Sequence, residues 1–328
     1  MNKDFSKLKT GVIGVGSMGQ NHARIYNEIS NLIGVADSDE EQGRKVANRF
    51  GIKWYKNFEE LLLDVDAVSI AVPTSLHLQI AEIALNSGVH ILVEKPLTSN
   101  IKDAQKIIKL VEDTELTLAV GHVERHNPVV TYAKKAIDEG KWGDVITLTS
   151  KRVSNFPERI TDVGVLFDLC IHDIDISNYL SNSKVNSVYA LGGNKRAQHE
   201  DHINLCLSYD SGLISICETN WLTPNKIRKL EITTSTHYIE LDYQNQSIEL
   251  FKSKYINVNK SNLYSPNLQL EIIKVPVNKD EPLKLELKDF LESIVTNKPP
   301  LVTGKDALEV VRISTQAIES LKKQQVVK

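Results

Sequence analysis

From Thr10 to His122, short apolar runs alternate with longer segments in which apolar residues return every three or four positions. The runs cover residues 11–14, 32–36, 67–72, 90–93 and 116–120. Each is continuous rather than alternating, as strands covered on both faces are. Between them the helical period is plain: over 101–112, Ile101, Ala104, Ile108 and Val111 fall on one face. This βαβα rhythm predicts a doubly wound parallel sheet.

After Pro128 the rhythm changes. A helix ends near Gly140, a strand spans 145–151, and a second helix covers 168–180. β-like stretches follow at 187–190, 203–209, 213–221, 230–234, 238–241 and 248–251. Asp210-Ser211-Gly212 reads as a hairpin turn, because glycine supplies the positive φ of a tight reversal. Two amphipathic helices, 283–296 and 306–322, close the chain on either side of Asn297-Lys298-Pro299-Pro300. The pattern predicts an α/β chain in two parts: a doubly wound domain over 1–122, then an α+β domain over 123–328 with a large, mostly antiparallel sheet. The last helix, 306–322, is expected to pack back on the first domain.

Composition supports two cores, since 328 residues exceed one ordinary domain and 41% are hydrophobic. With 39 Lys plus Arg against 42 Asp plus Glu, the net charge of -3 supplies no global field for nucleic acid or anionic lipid. The first residues, MNKDFSKLKT, lack the apolar region of a signal peptide, and no segment approaches the ~20 apolar residues of a membrane span. A cytoplasmic protein without membrane or nucleic-acid partners is the expectation. Cys170, Cys206 and Cys217 form no C-x-x-C pair and are expected as reduced, mostly buried thiols.

The candidate chemistry begins at Gly14-Val15-Gly16-Ser17-Met18-Gly19, which follows a strand and precedes a helix. This is the dinucleotide fingerprint of a Rossmann domain: one glycine for the turn, one to admit the pyrophosphate, one for close approach of helix and strand. The next strand ends in Ala36-Asp37, where a carboxylate accepts from ribose hydroxyls and repels a 2′-phosphate, so NAD is favoured over NADP. A helix cap is the competing role for Asp37. Ala71, Val72, Pro73 and Thr74 end the strand beginning at residue 67, at its carboxyl edge, and Ala71, Pro73, Thr74 and His77 are assigned to the same nucleotide, with a helix cap or first helical turn as the competing role for Thr74 and His77.

Glu94-Lys95-Pro96 ends the strand 90–93, placing Glu94 and Lys95 at the cofactor rim. There the ammonium can stabilise alkoxide character as a hydride leaves; a surface lysine in a turn is the alternative. Asp168 and His172 stand four apart in an apolar helix and so share a face. The imidazole suits a general base oriented by the carboxylate, with a satisfied buried Asp–His pair as the alternative. No second histidine stands at ligand spacing beside them, and His199-Glu200-Asp201-His202 lies in a polar loop, so no metal is expected.

The ordered set GVGSMG, AVPTSLH, EKP, GHVERHNP and DLCIHDID resembles the glucose-fructose oxidoreductase, inositol dehydrogenase and rhizopine-catabolism (Gfo/Idh/MocA) oxidoreductases over nearly the whole chain. The resemblance implies a catalytic lysine at Lys95, a histidine base at His172, a supporting acid at Asp168, and an open second-domain sheet that joins dimers or tetramers. The segments GHVERHNPVV, DVGVLFDLCIHDIDI and NWLTPNKIRKL look like family members that oxidise C3 of UDP-N-acetylglucosamine, which implies a nucleotide-sugar substrate. Arg152, Arg159, Lys226 and Arg228 are then candidates to meet its pyrophosphate, with Lys95, Asp168 and His172 at the sugar. Two rivals remain at this stage: a dehydrogenase of UDP-N-acetylglucosaminuronate or of a polyol such as inositol, and a non-catalytic NAD-binding regulator.

Overall fold

The continuous apolar runs become a six-stranded parallel sheet in the computed structural model of the protein, which describes residues 4–157, 163–257 and 267–328. Its strands are β1 (Phe5–Ile13), β2 (Ser30–Ala36), β3 (Lys53–Tyr55), β4 (Ala67–Ile70), β5 (His90–Glu94) and β6 (Leu118–Gly121), ordered β3-β2-β1-β4-β5-β6. The order reverses between β1 and β4, where doubly wound sheets open a crevice at their carboxyl ends. Helices α1 (Gly19–Ile29), α2 (Glu40–Phe50), α3 (Phe58–Leu62), α4 (His77–Asn86) and α5 (Ile101–Glu112) alternate with the strands. Val12, Val35, Ile70, Ile91 and Val93 are buried completely or nearly so, which is why these strands show no polar alternation.

Sequence pattern missed β3. It is three residues long at the sheet edge, with Lys53 exposed, too short and too wet to stand out.

The chain divides into two units, residues up to 126 with 281–312, and 127–280 with 313–328. This corrects the expectation of two consecutive domains meeting at residue 122. The helix α8 (Pro282–Thr296) belongs to the first unit, where Leu283, Leu287, Phe290 and Leu291 share a core with Ile25 and Tyr26. Of α9 (Gly304–Lys323), residues up to Arg312 belong to the first unit and the rest to the second. An amphipathic stripe shows that a helix buries one face; it does not show which core receives it.

In the second unit an eight-stranded sheet comprises β7 (Val145–Val153), β8 (Val185–Gly193), β9 (His202–Tyr209), β10 (Ile214–Asn220), β11 (Ile227–Thr234), β12 (Tyr238–Asp242), β13 (Ser247–Asn257) and β14 (Asn267–Val275). The order is β14-β13-β12-β11-β7-β10-β9-β8, antiparallel except between β7 and β10. Gly212, at φ 86°, makes the turn between β9 and β10. Helices α6 (Pro128–Asp138) and α7 (Ile171–Ser181) pack on one face, over Leu148, Leu205, Cys217 and Ile232. The other face carries Leu191, Ile214, Ile216 and Ile272 at 41% to 52% exposure.

Candidate active site

The three glycines after β1 have three different surroundings. Gly14 stands at φ 83°, and a Cβ there would lie 2.8 Å from the Ala71 carbonyl oxygen. A Cβ on Gly19 would lie 1.8 Å from the Gly14 carbonyl oxygen, so only glycine lets α1 approach the strand. At Gly16 a Cβ would meet no atom within 4 Å, which leaves room for a pyrophosphate at the helix N-terminus. Ser17 and Met18 complete the turn into α1, which has no side-chain cap and no acid in its first turn. By contrast Asp39, Asn57 and Asn100 cap α2, α3 and α5.

Asp37 follows β2 with both carboxylate oxygens engaged: Val15 N–H donates to Oδ2 at 2.7 Å and Asp39 N–H to Oδ1 at 2.9 Å. The helix-cap role belongs to Asp39, and Asp37 ties the glycine turn to the loop that follows β2. A cavity of about 360 Å³ is lined by Gly14, Gly16, Asp37, Ala71, Val72 and Pro73. Lys56 and Phe58 line it as well and were not anticipated. The signal for them was β3 itself: it pairs with β2, so the chain leaving β3 passes the end that holds Asp37. Thr74 opens the short helical turn Thr74–Leu76 after this rim. The empty space at Gly16, the uncapped helix and the carboxylate at β2 fit a bound NAD.

Lys95 leaves β5 at a buried network. Glu94 Oε2 accepts the Lys95 N–H at 3.1 Å, and Glu94 Oε1 lies 2.9 Å from His22 Nε2. His22 Nδ1 lies 2.9 Å from Ser69 Oγ, which also meets the Tyr26 hydroxyl at 2.8 Å. Burial raises the Glu94 pKa, but the hydrogen bond and charge of His22, followed by Lys95, outweigh it and hold the carboxyl below its ordinary value. Glu286 of α8 lies near, with one ligand-type atom each from His22, Glu94 and Glu286 within 4.8 Å of one another. The Glu94 carboxylate therefore braces the Lys95 backbone. The Lys95–Pro96 peptide is cis.

His77 is a correction. It was expected to touch the nucleotide, yet it is 1% exposed and its ring is surrounded by backbone carbonyls. Nδ1 lies 3.0 Å from the Pro96 oxygen and 3.2 Å from that of Leu97, and Nε2 lies 3.0 Å from that of Val72.

In the second unit, Asp168 sits in a π-helical turn, Leu166–Cys170, and His172 in the first turn of α7; both side chains are half-buried. π turns recur at functional sites, and the α-helical spacing inferred for this pair holds only from Ile171 onward. The turn is anchored by Glu200, whose carbonyl accepts Val165 N–H at 2.8 Å and whose carboxylate accepts Leu166 N–H at 3.3 Å. A Cβ on Gly164 would stand 2.1 Å from that carboxylate, which accounts for the glycine. His202 Nδ1 meets the buried Asp201 carboxylate at 2.8 Å, and Asp201 also accepts the N–H groups of Lys195 and Arg196.

Arg152 is a second correction. The residue is 2% exposed, with Nε 3.0 Å from both Asp173 oxygens and the guanidinium 5.1 Å from the Tyr243 ring centroid. A cation neutralised in this way inside the core does not present its charge to a substrate pyrophosphate. Arg159 lies outside the described residues. Arg228 is half-buried and directs Nη1 toward the Val153 carbonyl, while Lys226 is exposed. The three cysteines are free thiols, Cys170 and Cys217 buried.

A fingerprint turn at the switch point of a parallel sheet, with a carboxylate at the end of β2, defines a dinucleotide-binding domain. Residues 8–122 match the model of the oxidoreductase family with an NAD-binding Rossmann fold, and residues 130–240 match that of the GFO/IDH/MocA C-terminal domain. The chain belongs to the GFO/IDH/MocA family of NAD-dependent sugar dehydrogenases. It is 30% identical to UDP-N-acetylglucosamine 3-dehydrogenase of Acidithiobacillus ferrooxidans over 94% of this chain and 96% of that protein. It is 28% identical to scyllo-inositol 2-dehydrogenase (NAD(+)) of Bacillus subtilis over 96% of this chain and 94% of that one. The solved structure of the A. ferrooxidans enzyme superposes with a TM-score of 0.87, covering 97% of this chain and 98% of that chain. Levoglucosan dehydrogenase in complex with NADH and levoglucosan, at 20% identity, shares the fold with a TM-score of 0.85 over 98% of this chain and 99% of that chain. Among the described residues, no helix is long and apolar enough to cross a membrane.

Proposed function

We propose that this protein oxidises a secondary hydroxyl of a nucleotide sugar to a ketone, and that the substrate is UDP-N-acetylglucosamine oxidised at C3. The observation that carries the sugar is the likeness to the A. ferrooxidans enzyme, which extends through both units rather than stopping at the nucleotide domain. Bound NAD+ supplies the hydride acceptor. In this reading His172 is the base that takes the hydroxyl proton, and Asp168 either orients it or binds a neighbouring hydroxyl. Lys95 donates a hydrogen bond to the oxygen, stabilising the negative charge that develops there before the carbonyl forms. The products are the 3-keto sugar, NADH and one proton.

A polyol substrate is the second reading. It is favoured by the full-length likeness to inositol dehydrogenases and by the commitment of Arg152 to Asp173, which removes one candidate cation for a pyrophosphate. Purified protein with NAD+ is to be assayed against UDP-N-acetylglucosamine, UDP-N-acetylglucosaminuronate and myo-inositol, and the ketone located carbon by carbon. A 3-keto product from UDP-N-acetylglucosamine is expected; turnover of inositol without any UDP-sugar would replace the first reading with the second.

We also propose that the open face of the second sheet joins copies of the chain. Exposed Leu191, Ile214, Ile216 and Ile272 form part of an apolar surface of the kind that seeks a partner.

A further inference from the structure

Two loops lie side by side at the carboxyl edge of the first sheet, because β4 and β5 are paired neighbours. One follows β4, and its residues Ala71, Val72 and Pro73 line the nucleotide cavity. The other follows β5 and begins with Lys95 and Pro96. Between them stands the His77 ring, with Val72 oxygen 3.0 Å from Nε2 and Pro96 oxygen 3.0 Å from Nδ1.

We propose that His77 is a positioning residue that fastens the turn carrying Lys95 to the rim of the nucleotide pocket, so that ammonium and bound nucleotide keep a fixed spacing. The inference rests on the reading of Lys95 as the group that polarises the reacting hydroxyl. His77 opens α4, so its backbone is set by the helix, and its ring is almost wholly enclosed. Each nitrogen faces carbonyl oxygen: the protonated one donates to one loop, and a second proton, when present, donates to the other. Burial outweighs the carbonyls of Val72, Leu97 and Pro96 and the charge of Glu94 and lowers the ring's pKa, so the neutral ring carries one proton; on Nδ1 that proton bonds the Pro96 oxygen, and α4, which continues from the β4 loop, completes the link. An apolar side chain of similar shape would fill the same space and fasten neither loop. On the far side Glu94 holds the Lys95 N–H, so the turn is gripped at two points one residue apart.

Hydrogen exchange followed by mass spectrometry tests the fastening without a substrate. In His77→Phe, amides of Leu97 and Thr98 are expected to exchange about tenfold faster, with β1 and β2 unchanged. Equal rates at Leu97 and Thr98 would overturn the proposal. Turnover tests the consequence, using whichever of UDP-N-acetylglucosamine and myo-inositol the protein oxidises. His77→Phe should lower kcat about tenfold or more while the NAD+ dissociation constant stays within about threefold, and should cost nothing further in a Lys95→Ala background. The same fractional loss in both backgrounds would mean that His77 acts on folding or elsewhere, and would also overturn it. Should the Phe variant not fold, His77→Gln, whose amide group can reach only one of the two loops with its N–H donors, is to be measured in both backgrounds against the same criteria. If Lys95→Ala alone leaves kcat intact, the reading of Lys95 has failed; if neither substrate reacts, the substrate reading has failed; in both cases the exchange result still decides whether His77 fastens the turn.

Discussion

The glycine turn separates what a residue does for the fold from what it does for the nucleotide. A side chain on Gly16 meets open space, so Gly16→Val should leave thermal stability near that of the parent and abolish NADH binding by fluorescence titration. On Gly19 a side chain meets the backbone of Gly14, and Gly19→Ala should instead lower the melting temperature by several degrees, as a cost of about 1–3 kcal/mol does. Loss of stability at Gly16, or binding retained there, would contradict the placement of the pyrophosphate. At the same scale His77 shows where residue type misleads. A histidine after a nucleotide-binding strand looks like a ligand contact, yet its ring nitrogens face the backbone.

At the scale of elements, the buried pair of Arg152 and Asp173 couples β7 to α7, the helix that carries His172. Replacing one partner leaves an uncompensated charge in the core. Asp173→Asn and Arg152→Met should therefore each cost about 3–5 kcal/mol in urea unfolding, and the double variant less than their sum. Additive losses would show that the two side chains do not act as a pair. Most elements were legible in the sequence: α5 matches its predicted bounds, and β9 differs by one residue from the pattern. What escaped depends on partners distant along the chain. Edge strands β3 and β14 are held by one neighbour each, and the interior apolar run that marks other strands is absent from the first. The π turn was invisible because its anchor, Glu200, comes thirty-four residues after Leu166. Of the site, Gly14, Gly16, Asp37, Ala71 and Pro73 were readable as pocket residues from motif spacing, whereas Lys56 and Phe58 required knowledge of β3.

For the whole molecule, acid should remove stability held by carboxylates that are charged and bonded inside the fold. Glu94 is held below its ordinary value, as is Asp201, where the His202 and backbone hydrogen bonds outweigh burial. Their contribution is present above the ordinary carboxylate range and is lost as pH falls through the lowered folded-state values. Urea midpoints measured from about pH 7 to about pH 3 should fall across that acid window, and less steeply in Glu94→Gln. An unchanged slope would mean that Glu94 is protonated in the fold. Assembly belongs to this scale too: sedimentation of the protein should give at least a dimer, and Ile216→Lys on the open sheet face should weaken it. A parent protein that sediments as a monomer would remove the proposed role of that face.

The central claim is that the lysine ending β5 acts on the reacting hydroxyl of a substrate oxidised by the nucleotide held beside it in the first unit. Its most direct test is the initial rate of NADH formation by Lys95→Ala and by the parent protein, with NAD+ affinity measured in parallel. The account predicts a fall in kcat of about 100-fold or more with NAD+ affinity nearly unchanged. An unchanged rate in Lys95→Ala would contradict it.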